Sequence, residues 1–172
     1  MTTTMTELDA MPDEQAAELL RSCCGSTTWV NGMLAQRPFG TRDAMLNSAE
    51  DVFVTLTPED WAEAFAHHPR LGEARVDAPA TAQSKDWSAG EQSAVQASST
   101  EERDALAEAN RIYEERYGRV CIICANGRSA GAILAITHAR MSNTPQIELR
   151  VSAGEQRKIT RLRLEKLVPE PS

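Results

Sequence analysis

Thr57-Pro-Glu-Asp-Trp-Ala-Glu-Ala-Phe-Ala-His-His-Pro-Arg-Leu-Gly72 is the stretch that decides how the chain is read. Thr57 reads as an N-cap, Pro58 suits the first helical position, and Glu59 and Asp60 place negative charge at the positive end of the helix dipole. Pro69 disfavours helical backbone at the residue before it, so the helix should close at His67 or His68. Trp61, Ala64, Phe65 and His68 fall at i, i+3, i+4 and i+7 and make one apolar stripe, whereas Asp60, Glu63 and His67 share the polar face. The two histidines therefore differ. His67 should meet water and carboxylates. His68 ends a buried stripe, where a hydrogen-bonded core histidine and a functional one are both open readings.

Beyond this helix, residues 69 to 87 show neither helical nor alternating period, which predicts a long loop. Leaving a buried histidine and carrying Arg70, Glu73, Arg75 and Asp77, it is a candidate lid or pocket wall. Before the helix, residues 42 to 56 carry Met45, Ala49, Val52, Phe53 and Leu56 at helical spacing, a core helix expected to run antiparallel to the next. Shorter helices are predicted over 13 to 24, stopped by Gly25, and over 28 to 36, with Trp29 and Met33 on one face, broken by Arg37-Pro-Phe-Gly40. Cys23 and Cys24 are expected to be small core residues.

On the other side of the loop, Ser88 and Glu91 in Trp87-Ser-Ala-Gly-Glu-Gln92 stand as S-x-x-E, the spacing of a capping box, and predict a helix from there to about Ser98. Ser99-Thr-Glu-Glu102 repeats the pattern and opens a helix to Tyr117, whose stripe of Leu106, Asn110, Tyr113 and Tyr117 buries an amide that needs a partner or a ligand. Arg119-Val-Cys-Ile-Ile-Cys-Ala125 reads as an isolated extended segment with no second strand to pair with. Its Cys121 and Cys124 admit a redox or zinc reading. A redox pair would normally open a helix, and the three histidines lack finger spacing. Residues 129 to 141 and 144 to 168 complete the set as helices. On the last, Arg163 falls on the apolar stripe between Ile159 and Leu167, while Arg161 faces out, so the Arg163 guanidinium requires a counter-charge. The architecture expected is all-α, a single domain over 1–172 with seven to eight helices and one extended segment near 119–125.

A net charge of −7 and a pI near 5 argue against nucleic-acid and anionic membrane partners, both of which need a cationic footprint. No stretch has the apolar length of a membrane span, no leader pattern stands at the start, and the cysteines lack a secreted framework, so a cytoplasmic protein is expected.

His68-Pro-Arg-Leu-Gly72, Trp87-Ser-x-x-Glu-Gln92, Asn110-x-x-Tyr113 with Tyr117-Gly118, Ile122-Ile-Cys-Ala125 with Gly127-Arg128, and Lys158-Ile-Thr-Arg-Leu-Arg-Leu164 follow one another as in the decarboxylases of 2-oxo-4-hydroxy-4-carboxy-5-ureidoimidazoline (OHCU). The chain resembles that family over nearly its whole length, including Trp29 and Arg37-Pro-Phe39. The resemblance implies a helical enzyme, usually a homodimer, that makes (S)-allantoin from OHCU with no cofactor and no metal. Carried over by motif, it implies His68 and Glu91 as catalytic residues, and Pro69, Ser88, Gln92 and Arg163 as substrate-binding ones. It also implies that Ile122, Ile123, Cys124, Ala125 and Asn126 line the pocket through backbone groups. Arg119-Val-Cys121 departs from the apolar or aromatic residues more usual there, and Ser93-Ala94 from the usual Gly-Val. A non-catalytic helical dimer and a thiol redox protein using Cys121 and Cys124 are the competing readings.

Overall fold

In the computed structural model, which describes residues 2–72 and 81–170, every regular element is a helix. They are α1 (Met5–Ala10), α2 (Asp13–Cys23), α3 (Thr27–Ala35), α4 (Arg42–Phe53), α5 (Pro58–Ala66), α6 (Ala82–Glu91), α7 (Ser93–Gln96), α8 (Thr100–Tyr117), α9 (Ala130–Arg140) and α10 (Pro145–Leu167). Among the described residues ten helices stand where seven to eight were expected. α1 is too short for an apolar period to announce it, although Thr4 and Glu7 close a capping box at its start. The helix expected over 88–98 is broken at Gln92 into the end of α6 and the single turn of α7.

α5 forms as read. Thr57 and Asp60 close its capping box, with Pro58 in the first turn and His67 as the C-cap. Its polar face does not look into water, however. Asp60 accepts from the Thr28 hydroxyl at 2.6 Å, and Glu63 accepts from Thr27 N at 2.9 Å and Thr27 Oγ1 at 2.6 Å. Both carboxylates thus sit on the positive end of α3. His67 is half-buried too. Its Nδ1–H donates to Glu63 O at 2.9 Å, and a Cβ built on Gly25 would fall 2.3 Å from its ring, so only glycine fits beneath it. The principal neighbours of α5 are α3 and α10, so the expected antiparallel pairing with α4 is not its main contact.

The capping box predicted at Ser88 and Glu91 is absent. Thr81 is the N-cap, accepting from Ser84 N at 3.1 Å, and Ser88 and Glu91 lie in the last turn of α6. Their i, i+3 spacing puts them on one face of a helix already under way. The loop expected over 69–87 therefore ends by Thr81, and its portion from 73 to 80 lies outside the described residues. The second box, Ser99 with Glu102, opens α8 as predicted, and Gly118 at φ +71° closes it.

Residues 120–125 form the extended segment, and no strand pairs with it among the described residues. Its side chains alternate between two cores. Val120 and Ile122 join the larger one, built from Leu20, Trp29, Met33, Met45, Phe65, Leu164 and their neighbours. Cys121, Ile123 and Ala125 join the smaller one, with Leu71, Val95, Leu106, Tyr113 and Ile133. A buried ion pair fastens the segment. Arg140 Nη1 donates to Ile122 O at 2.7 Å, while Arg140 Nε reaches Glu148 Oε1 at 2.8 Å and Tyr113 OH donates to the same oxygen at 2.5 Å. Burial works against both charges, and the mutual hydrogen bonds prevail, holding the Glu148 carboxyl below its usual range and the Arg140 guanidinium above its own.

Candidate active site

α10, the end of α5, α6 and the extended segment meet around a cavity lined by His68, Pro69, Ser88, Glu91, Gln92 and Ile122 with Ile123, and also by Leu71, Cys121, Ala125 and Ile159. It offers about 20 Å³, room for a single water molecule. Most of the residues anticipated from the sequence do converge here. Cys124 and Asn126 do not: Cys124 packs half-buried against the larger core and Asn126 is exposed.

His68 is 8% exposed, and its Nε2 lies 2.7 Å from Gln156 Oε1. Burial is the main reason its pKa is pushed down to about 3, helped by the Arg163 guanidinium and by His67 and opposed by the Gln156 hydrogen bond. The ring is therefore a neutral imidazole at ordinary pH, able to accept a proton.

Arg163, 3% exposed, finds its counter-charge in Glu91. Nε donates to Glu91 Oε1 at 3.1 Å and Nη2 to Glu91 Oε2 at 3.0 Å, while Lys166 Nζ approaches Oε1 at 3.4 Å. Nη2 also donates to Ser88 Oγ at 2.8 Å, and Nη1 to Ser84 Oγ at 3.0 Å and Ser22 O at 3.3 Å. These bonds engage all of the guanidinium's donors. Arg163 stands behind the cavity wall, and in this conformation a ligand contact would require one of those bonds to be exchanged. Arg161 is exposed and pairs with Glu165.

Gln92 Oε1 accepts from Gly72 N at 2.7 Å, and Asn110 Nδ2 donates to Leu71 O at 2.7 Å. The nitrogen of the buried amide of α8 thus finds its partner in the backbone that follows His68-Pro69, holding that turn against the cavity, while its Oδ1 has no partner among the described residues. Across from it, the backbone N–H groups of residues 120–125 find no acceptor among the described residues. Buried donors of this kind are uncommon and are available to a ligand oxygen.

The thiols are poor nucleophiles. Burial pushes Cys121 up to about 11 and raises Cys124, and all four cysteines are free. Among the described residues no group of His, Cys, Asp or Glu side chains is arranged to hold a metal ion.

Sequence reasoning missed Gln156 and the Arg140 and Glu148 pair. Gln156 carried a usable signal: it stands one heptad before Arg163, so Ser152, Gln156, Thr160 and Arg163 form a polar file on the buried side of α10.

A helical scaffold that buries a neutral imidazole, a clamped carboxylate, a hydroxyl and an amide around one small cavity gathers the groups that acid–base chemistry on a small polar molecule requires. The sequence pattern of the family described as OHCU decarboxylase matches residues 9–165, and the chain belongs to that family. It is 35% identical over 149 residues to the uric acid degradation bifunctional protein TTL of Arabidopsis thaliana, a match covering 84% of this chain and 45% of that protein. The chain thus spans under half the length of this relative. Among solved structures it is similar to an OHCU decarboxylase determined in the presence of (S)-allantoin, with a TM-score of 0.77 and 32% identity over 93% of this chain and 100% of that one. An (S)-allantoin synthase shares the fold at a TM-score of 0.67 and 17% identity, covering 96% of this chain and 54% of its own.

Proposed function

We propose that this protein decarboxylates OHCU to (S)-allantoin without a cofactor, acting as a cytoplasmic homodimer. The observation that carries the reading is the convergence of His68, Ser88, Glu91, Gln92 and the extended segment, whose backbone N–H groups have no acceptor among the described residues, on one cavity, in a chain of this family. No helix among the described residues is long and apolar enough to cross a membrane.

The substrate carries its carboxylate and hydroxyl on one ring carbon, next to a carbon–nitrogen double bond. As carbon dioxide leaves, its bonding electrons form a carbon–carbon double bond to the neighbouring carbon, and the carbon–nitrogen pair moves onto the ring nitrogen, which takes a proton from solvent. No external electron sink is required. The hydroxyl proton then departs as the carbonyl forms, and the neighbouring carbon is protonated from one face. His68 accepts the hydroxyl proton. Glu91, Ser88 and Gln92 hold the ureido side and guide protonation, while Pro69 forms a wall. Backbone N–H groups of Ile122, Ile123 and Ala125 receive a substrate oxygen. Arg163 serves by holding Glu91 and Ser88 in place, with direct contact to a substrate oxygen only if it releases one of its present partners. A substrate of this size does not fit 20 Å³, so the cavity walls must part to admit it.

The test is to mix the purified protein with freshly generated OHCU and follow circular dichroism. Catalysis predicts rapid appearance of optically pure (S)-allantoin. Racemic product at the spontaneous rate overturns the proposal. Sedimentation equilibrium tests the dimer.

A further inference from the structure

His68 has two ring nitrogens, and a base must leave the correct one free. Nε2 faces Gln156 Oε1 at 2.7 Å, whereas Nδ1 has no partner among the described residues and belongs to a ring that lines the cavity. Which group of the Gln156 amide faces His68 is settled one step further away. Gln156 Nε2 donates to Thr160 Oγ1 at 3.1 Å, one turn further along α10. Thr160 Oγ1 accepts from the nitrogen end of the amide, which leaves the amide oxygen facing the imidazole. All members are buried: His68 is 8% exposed, Gln156 1% and Thr160 2%.

We infer that Gln156 is a positioning residue that fixes His68 as the Nε2–H tautomer, so that Nδ1 is the atom presented to the substrate hydroxyl. Thr160 holds the amide in that orientation. Glutamine suits this task because its oxygen accepts without charge, where a carboxylate would draw a second proton onto the ring. The other charged and titratable groups around the ring are Arg163 and His67, which disfavour a cation there, Glu91 with Arg163 and Lys166 behind it, and the neutral Cys121 on the facing segment. The inference rests on His68 being the base of the proposed reaction.

Ring nitrogen–proton correlation spectra of the uniformly ¹⁵N-labelled full chain test it. The sequence holds three histidines, and His67→Asn and His138→Gln assign the other two. Wild type should show His68 protonated at Nε2 and bare at Nδ1 at neutral pH. Gln156→Leu should lose that preference and lower kcat on the order of tenfold or more with KM little changed. Gln156→Glu should keep the Nε2 proton, add one at Nδ1, and move the acidic limb of the kcat/KM profile up by roughly two pH units. A bare Nε2 in wild type overturns the inference, as does a Gln156→Leu protein with unaltered spectrum and kcat. Should Gln156→Leu fail to fold, the wild-type spectrum and the Gln156→Glu profile decide. The spectrum needs no turnover: a fixed Nε2–H tautomer in a protein inert toward OHCU refutes the substrate and leaves the positioning standing.

Discussion

Arg163 grips Glu91 with two parallel hydrogen bonds of 3.1 and 3.0 Å at the back of the cavity, and both side chains are more than nine-tenths buried. Such a pair adds little net stability over an apolar replacement, yet removing one partner strands the other charge, at a cost of about 3–5 kcal/mol.

Glu91→Gln should therefore lose activity and stability together. We expect a fall in unfolding free energy of several kcal/mol, with turnover down by roughly 10² or more. Arg163→Met should destabilise to a similar extent, and the double variant should recover part of the loss. Urea denaturation of the three proteins measures this. Strict additivity would show that the two side chains are not coupled.

His68→Asn should abolish decarboxylation, whereas His67→Ala should retain most of it while losing some stability, because the His67 ring packs on Gly25 and bonds to Glu63 O. Steady-state kinetics beside thermal melts separate the two effects. Equal kinetic losses would place His67 in the site.

The neutral state of His68 has a signature in stability. Its pKa is about 3 in the folded protein and near 6.5 when unfolded, so between these values the unfolded chain binds a proton that the folded chain refuses. The contribution is fully present above about pH 6.5 and is lost as pH falls, at about 1.4 kcal/mol per pH unit. Urea midpoints of wild type and His68→Asn should therefore converge as pH drops from 7.5 to 5. Parallel curves would mean that the folded ring takes up a proton after all.

Cys121→Ser combined with Cys124→Ser should leave turnover within severalfold, since burial keeps both thiols protonated and no step of the proposed chemistry uses sulfur. Iodoacetamide should label the folded wild type slowly. Fast labelling with parallel loss of activity would restore the thiol reading.

The sequence made the fold legible where caps and stripes agreed. Thr57, Ser99 and Thr144 start helices in the places their spacing predicted. It misled at Ser88 and Glu91, because a capping box and two residues on one helix face share the same separation, and Thr81 with Ser84 supplied the real start. Arg163 was legible as a buried cation seeking an anion. Glu91 as that anion was not, since the residues lie on different helices. Gln156 was silent because a neutral amide on a buried stripe creates no charge conflict. Arg140 and Glu148 sit on either side of the turn between α9 and α10, where helical periodicity stops and cannot align them.

The alternation of residues 120–125 between two cores makes that stretch a matter of parity rather than of length. Deleting or inserting one residue between Gly118 and Asn126 would exchange the occupants of the two interiors, sending Ile122 among the neighbours of Tyr113 and Ile123 toward Trp29. An insertion of two residues preserves the odd and even assignment and can be absorbed as a bulge, so only even changes should yield folded protein.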